Sequence, residues 1–133
     1  MKQTQLSTEF SFLLLIIAFS SSCQKPQTSA NHISADSLKS ILKTEHGIIL
    51  DVRTPEEFEE GHIAGSININ YHDENFSAAL DTLDKNKQYE VYCRSGNRSY
   101  KSIELMKKKG FKNIYHFEGG ILNWEEKGFE TVK

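Results

Sequence analysis

Short apolar runs that alternate with amphipathic segments are the feature that most limits how this chain can fold. Ile48 to Val52 is an apolar run interrupted by one acid, which is typical of a strand buried on both faces of a sheet. Further segments with strand character cover residues 66–70, 89–93 and 111–117. Strands that alternate with helices predict an α/β domain, with a mostly parallel central sheet and helices on both faces.

Helix signals fill the intervals between these strands. Ser34 is an N-cap candidate before an apolar stripe, and the helix that it starts is predicted to end near Gly47. Thr54 and Pro55, followed by acids, predict a second helix that stops before Gly61. Later helices are predicted over residues 75–83, over residues 99–109 and from residue 121, where Trp124 is expected to anchor the core.

The N-terminal segment is interpreted as a targeting signal rather than as part of the fold. After Lys2 comes an apolar run of about ten residues, which fits an export signal and is well short of the ~20 needed to span a bilayer. Residues 1–22 are therefore predicted to be a signal peptide. Simple secretion and a retained anchor remain the alternatives to lipid attachment at the cysteine that follows.

Ser20 to Cys23 resembles the lipobox of bacterial lipoproteins, although Ser20 stands where that family usually has Leu. The resemblance implies that Cys23 is lipidated, that residues 23–32 form a polar tether and that residues 33–133 form the domain. Several acyl chains would make the membrane attachment stable. Residues 24–26 carry no acidic run, so we expect a lipid-anchored protein on the periplasmic face of the cell envelope.

Composition excludes several functional classes. The 133 residues are 38% hydrophobic and 26% charged, which fits one folded domain and is too short for two independent ones. Sixteen basic and 18 acidic residues give a net charge of −2, which does not suit a dedicated nucleic-acid binder. If Cys23 is acylated, Cys93 is the one remaining thiol in an oxidising compartment, so it requires an explanation.

The surroundings of Cys93 favour a nucleophile over an inert core residue. Cys93 lies where a predicted strand passes directly into a predicted helix, a place where backbone amides and the helix dipole favour an anion. Gly96 permits the tight turn, and the position should drive the thiol towards thiolate. Guanidinium groups bind oxyanions through paired donors. The predicted anion-binding loop comprises Arg94, Ser95, Gly96, Asn97 and Arg98.

Several segments together resemble the rhodanese family of sulfurtransferases, over the range from Ile33 to Phe129. They are Leu50 to Phe58, Gly61 to Ile69, the Cys93 loop, and Gly119 to Ile121 with Trp124. The resemblance implies a small α/β enzyme without a cofactor or metal. Cys93 would take sulfane sulfur from a small anionic donor such as thiosulfate, hold it as a persulfide, and pass it to cyanide, to a thiol or to a protein thiol.

Supporting roles are predicted for four charged residues. Arg94 and Arg98 are candidates for donor binding and for stabilising the leaving group, and the side chain of Arg98 could instead turn outward. Asp51 and Arg53 end the strand next to the loop, where they could brace it or direct an arginine at the substrate. An ion pair that only seals the strand end is an equally weighted alternative for Asp51 and Arg53.

The histidines are not expected to act directly. His62 belongs to a Gly-His-Ile segment that the family uses structurally, and a preformed thiolate needs no strong general base. The other four histidines show no metal-ligand spacing with carboxylates: His32, His46, His72 and His116.

Two other functions stay open. A cysteine-dependent phosphatase or arsenate reductase of the related fold would use a similar loop, but with five residues between cysteine and arginine, whereas Cys93 and Arg98 enclose four. A non-catalytic persulfide carrier or partner-binding module is the second alternative.

Overall fold

The computed structural model describes residues 31–44 and 46–133, in which five strands and five helices alternate. The strands are β1 (Asn31–Ile33), β2 (Ile48–Asp51), β3 (Ile67–Asn68), β4 (Gln88–Tyr92) and β5 (Asn113–Phe117). The helices are α1 (Ala35–Thr44), α2 (Pro55–Glu60), α3 (Phe76–Asp81), α4 (Asn97–Lys108) and α5 (Gly120–Glu126).

The strands form one sheet in the order β1-β5-β4-β2-β3, and every pairing within it is parallel. The central strand β4 lies between β2 and β5, with Val91 beside Leu50 on one side and beside His116 on the other. The predicted α/β class with a parallel central sheet is confirmed. Because parallel strands end at the same edge, the chain leaves β2 and β4 at neighbouring points, where sites form in such sheets.

Helices cover both faces of the sheet, as predicted. One face carries Leu50, Val91 and Cys93, which pack with side chains from α3 and α4 such as Leu80 and Ile103. The opposite core cluster contains Ala35, Leu38, Ile49, Ile63, Tyr92, Phe117, Ile121 and Trp124. Burial of Trp124 confirms its expected role as a core anchor. Residues alternate between the two faces along β4, so Cys93 lies under α4 while Tyr92 faces the other way.

The described fold begins earlier than the sequence predicted. β1 pairs with β5 through Asn31 to Ile33, although residues 31 and 32 were expected to belong to a tether. A three-residue strand at a sheet edge, with exposed Asn31 and His32, has no apolar periodicity to reveal it. The predicted signal peptide and Cys23 lie outside the described residues. Within the described ranges, no helix is long and apolar enough to cross a membrane.

Candidate active site

A tight turn after β4 carries Cys93 into the start of α4. Gly96 has φ 114°, a left-handed conformation that favours glycine, and it stands as the N-cap of α4. Because of this turn the helix begins at Asn97, two residues before the predicted start at Ser99. The loop is therefore short, and its amides lie close to the sulfur.

The Cys93 sulfur is buried, with the residue 1% exposed, and it is held by hydrogen bonds. The amide of Gly96 donates to Sγ at 3.1 Å, and the Ser99 hydroxyl lies 3.4 Å from Sγ. Burial raises the pKa of the thiol, but the Ser99 hydroxyl and the amides of Ser99, Gly96 and Ser95 outweigh it, so the pKa lies below its ordinary value. The site thus favours thiolate without a charged neighbour in direct contact with the sulfur.

Ser99 and His116 extend the site beyond the residues that the sequence singled out for it. The Ser99 Oγ lies 3.0 Å from the Gly96 carbonyl oxygen, to which it donates, and 2.9 Å from His116 Nε2. Both residues are buried. His116 pairs with Val91 across β4 and β5, which brings its side chain to the face of the sheet that carries Cys93.

The glycine pair at the start of α5 supports the loop through backbone contacts. The amides of Ile121 and Leu122 donate to the carbonyl oxygens of Cys93 and Arg94, at 3.0 and 3.2 Å. Gly120 has φ 57°, and a Cβ at this position would lie 2.2 Å from the Cys93 carbonyl oxygen. Only glycine allows this close approach of two backbones, which gives Gly120 a physical role in holding the loop.

The two loop arginines differ in what they contact. Arg98 donates to both carboxylate oxygens of Glu57, at 2.6 and 2.8 Å. Together with the Thr54 amide, Arg98 lowers the pKa of Glu57 to about 2. In this structure its guanidinium is engaged with α2 and ties the loop to that helix. The donor-binding role expected for Arg98 stays a prediction.

Arg94, by contrast, is exposed, and the part of the chain that the structure describes offers its guanidinium no hydrogen-bond or ion-pair partner. Its predicted contact with a donor stays a prediction. Ser95 and Asn97 are also exposed, and the amide of Ser95 contributes to the low pKa of Cys93.

Asp51 and Arg53 form a buried ion pair at the end of β2. Arg53 Nε lies 3.0 Å from both Asp51 oxygens, and Nη2 donates to Asp51 at 2.7 Å and to the Gly61 carbonyl at 2.8 Å. The residues are 0% and 5% exposed. This geometry is that of the equally weighted alternative, in which the pair seals the strand end, and the Gly61 contact also fixes the chain after α2.

His62 contacts Phe58 in α2. Its Nδ1 donates to the Phe58 carbonyl at 2.9 Å, and its ring stacks on Phe58 with centroids 3.6 Å apart. Across residues 31–44 and 46–133, no group of three or more His, Cys, Asp or Glu side chains could hold a metal ion.

A buried cysteine directly follows the central parallel strand, and its sulfur faces backbone amides at the start of a helix. This arrangement defines a class of α/β domains in which a cysteine lies in an anion-binding loop. The chain belongs to the rhodanese-like domain family, whose model matches residues 34–127.

Individual relatives agree on the fold. The crystal structure of a rhodanese-related protein from Thermoplasma volcanium is 37% identical, with a TM-score of 0.69, and the match covers 77% of this chain and 97% of that one. A rhodanese-like domain protein from Staphylococcus aureus is 31% identical, with a TM-score of 0.66, covering 77% of this chain and 99% of that one. A tRNA uridine(34) hydroxylase of Yersinia pestis is 32% identical over 109 residues, which are 79% of this chain and 31% of that protein. The chain thus spans about a third of the length of this curated relative.

Proposed function

We propose that this domain is a sulfurtransferase that carries sulfane sulfur on Cys93. The observation that supports the proposal most directly is the environment of the Cys93 sulfur, which is buried, bonded to the Gly96 amide and lowered in pKa. A buried persulfide anion needs what a buried thiolate needs: fixed hydrogen-bond donors that offset the cost of burial and do not neutralise the anion by proton transfer.

In the first half-reaction, the Cys93 thiolate attacks the outer sulfur of thiosulfate. A new sulfur–sulfur bond forms between Sγ and this atom, the sulfur–sulfur bond of thiosulfate breaks, and sulfite leaves with the electron pair. The loop amides stabilise the charge on the sulfur that stays with the enzyme. Arg94 is the free cation of the loop that could bind the departing sulfite, since Arg98 is paired with Glu57.

In the second half-reaction, an acceptor attacks the outer sulfur of the persulfide. With cyanide the products are thiocyanate and the Cys93 thiolate, so no electron or proton is left unaccounted for. A thiol acceptor, small or on a protein, would take the sulfur in the same way. No metal or cofactor is needed for either step.

Two alternatives are less well supported. A phosphatase needs room for a tetrahedral phosphate, whereas the loop of this chain has four residues between Cys93 and Arg98, and Arg98 is turned towards Glu57. A non-catalytic carrier or partner-binding module would use the same persulfide but transfer it to a protein. The hydroxylase activity named for the Yersinia protein belongs to a chain of which 31% is matched, so it is not carried over.

The test is intact mass of the purified full chain before thiosulfate, after it, and after subsequent cyanide. We expect a gain of one sulfur atom and its loss as thiocyanate. Cys93→Ser should abolish the gain, because it removes the nucleophile. The matched control is Cys23→Ser, which removes the other cysteine of the chain and should leave the gain intact.

The outcomes separate the candidates. Sulfur gain with slow cyanide turnover but fast transfer to a protein thiol would favour the carrier. Release of phosphate from a monoester that depends on Cys93, with no sulfur gain from any donor, would overturn the sulfurtransferase in favour of the phosphatase.

We also propose that the protein is held at the periplasmic face of a membrane through lipid on Cys23. The support is the sequence pattern from Lys2 to Cys23. The test is fractionation of cells that express the native chain or Cys23→Ala, with mass analysis of the N-terminus. Membrane association that is equal in both chains, or an unmodified Cys23, would contradict the anchor.

A further inference from the structure

Three buried side chains form a line that leads away from the nucleophile. Cys93 Sγ lies 3.4 Å from Ser99 Oγ, which lies 2.9 Å from His116 Nε2. The three residues are 1%, 0% and 3% exposed. Cys93 directly follows β4, Ser99 lies in α4 and His116 lies in β5, so the three side chains connect different parts of the fold.

The proton count at Ser99 shows why His116 matters. The hydroxyl has one proton, and three acceptors lie around it: the Cys93 sulfur, the Gly96 carbonyl oxygen and, in one tautomer, His116 Nε2. If Nε2 carries the imidazole proton, it donates to Ser99 and no longer competes for the hydroxyl proton. The hydroxyl proton is then shared only between Gly96 and the sulfur.

The other ring nitrogen favours this tautomer. His116 Nδ1 is buried and has no hydrogen-bond partner in the described part of the chain. A buried N–H without an acceptor loses its hydrogen bonds to water and gains none in return. A proton on Nε2 avoids this cost, because the Nε2–H can donate to the Ser99 oxygen. The proton therefore belongs on Nε2, facing Ser99.

We propose that His116 is a positioning residue for the Cys93 sulfur, acting through Ser99: its Nε2–H fixes the Ser99 hydroxyl as a donor to the thiolate and to the persulfide that replaces it. The persulfide part rests on the proposed function. The effect on the thiolate does not, because it concerns only the protonation of Cys93.

The groups that face His116 are consistent with a neutral donor. The His32 ring on β1 lies 5.4 Å away between centroids, the Tyr100 ring on α4 lies 6.3 Å away, and Glu118 follows β5 and contacts His32 at 3.4 Å. Burial and the neighbouring His32 lower the pKa of His116. The lowered pKa favours the neutral imidazole, which can donate a hydrogen bond to the Ser99 hydroxyl without adding a charge.

The test is the pH dependence of alkylation of Cys93, measured in the full chain with Cys23→Ser so that one thiol remains. Ser99→Ala should raise the thiol pKa and slow alkylation at neutral pH about tenfold, since it removes a hydrogen bond to a charged group. His116→Asn should slow it about threefold, because the shorter amide cannot reach Ser99. His116→Gln, whose amide nitrogen can take the place of Nε2, should restore the native rate.

The outcomes are distinct from those of the sulfur-transfer assay. A native thiol pKa in His116→Asn, or a pKa in His116→Gln raised as far as in His116→Asn, would overturn the proposal. Nitrogen NMR of the chain with native His116 gives a second test. A proton found on Nδ1 rather than on Nε2 of this ring would also overturn the proposal. If alkylation confirms the role of His116 but thiosulfate adds no sulfur, the proposed sulfurtransferase function is refuted and the positioning role of His116 stands.

Discussion

The two sides of the Cys93 loop hold their polar groups in opposite ways. On the sulfur side, which consists of Cys93, Gly96, Ser99 and His116, the sulfur and neutral backbone, hydroxyl and imidazole groups meet at 2.9–3.4 Å. On the arginine side, which consists of the pairs Asp51–Arg53 and Glu57–Arg98, formal charges meet at 2.6–3.0 Å.

The difference shows which side is prepared for chemistry. Each charge on the arginine side already has an opposite partner, so it contributes to the position of the chain rather than to the binding of another anion. Neutral amides around the sulfur cannot lose a proton to it, and they remain in place when its charge changes. The number of arginines in the loop therefore overstates the positive charge that is available to a substrate, because Arg98 is already paired.

The largest effect on sulfur transfer should come from a substitution in the backbone that packs against the Cys93 carbonyl. Gly120→Ala would place a Cβ 2.2 Å from the Cys93 carbonyl oxygen and force the loop to shift. A displacement on the order of 1 Å of a reacting group can reduce the rate about 100-fold. We expect a loss of that order in the rate of sulfur gain from thiosulfate, measured by intact mass.

Gly110→Ala is the matched control for this substitution. Gly110 also has a positive φ of 89°, but a Cβ there would have no neighbour within 4 Å. This variant should lose about 1 kcal/mol of stability from backbone strain and keep the native rate. Equal rates in Gly110→Ala and Gly120→Ala would mean that the clash with Cys93 is not what positions the loop.

An intermediate effect on thiosulfate binding should distinguish the roles of the two loop arginines. Arg94→Ala removes the unpaired cation and should raise the KM for thiosulfate about tenfold, with a dependence on salt and no change in melting temperature. Arg98→Ala leaves Glu57 without its partner, so it should lower the melting temperature and raise KM less than Arg94→Ala does. Steady-state kinetics and thermal unfolding of both variants check this contrast. If Arg98→Ala raised KM more than Arg94→Ala, the assignment of the two arginines would be reversed.

The sequence predicts whatever depends on neighbouring residues. The strand-loop-helix context of Cys93, the turn at Gly96 and the capping residues of α2 are all local, and the structure contains each of them. Ser99 could also have been found, because it lies three residues after Gly96 at the first turn of a helix and so points back at the loop.

What the sequence does not predict depends on contacts between distant segments. The direction of Arg98 is set by Glu57, 41 residues earlier, and both arrangements of this arginine fit the local pattern equally well. His116 joins the site because β5 lies next to β4, and the strand order is needed to see this. β1 is too short and too exposed to produce an apolar signal.

The smallest effect should come from removing one charge on the arginine side while keeping the shape of the side chain. Glu57→Gln keeps an N3 residue that can complete the capping box with Thr54 but weakens the pair with Arg98, so we expect a loss of about 1 kcal/mol at pH 7. Because the pKa of Glu57 falls to about 2 in the folded protein from an ordinary 4.5, the charge stabilises the fold fully above pH 4.5.

This stabilisation should disappear as the pH falls through about 2, where the folded carboxylate takes up its proton. The difference in urea unfolding free energy between the native chain and Glu57→Gln, followed from pH 7 downward, measures it. Glu56→Gln is the control, since Glu56 is exposed in the same helical turn and should change the stability little. A difference for Glu57→Gln that is constant down to pH 2 would show that Arg98 is held by packing rather than by the carboxylate charge, and the arginine side would then resemble the sulfur side in needing no charge.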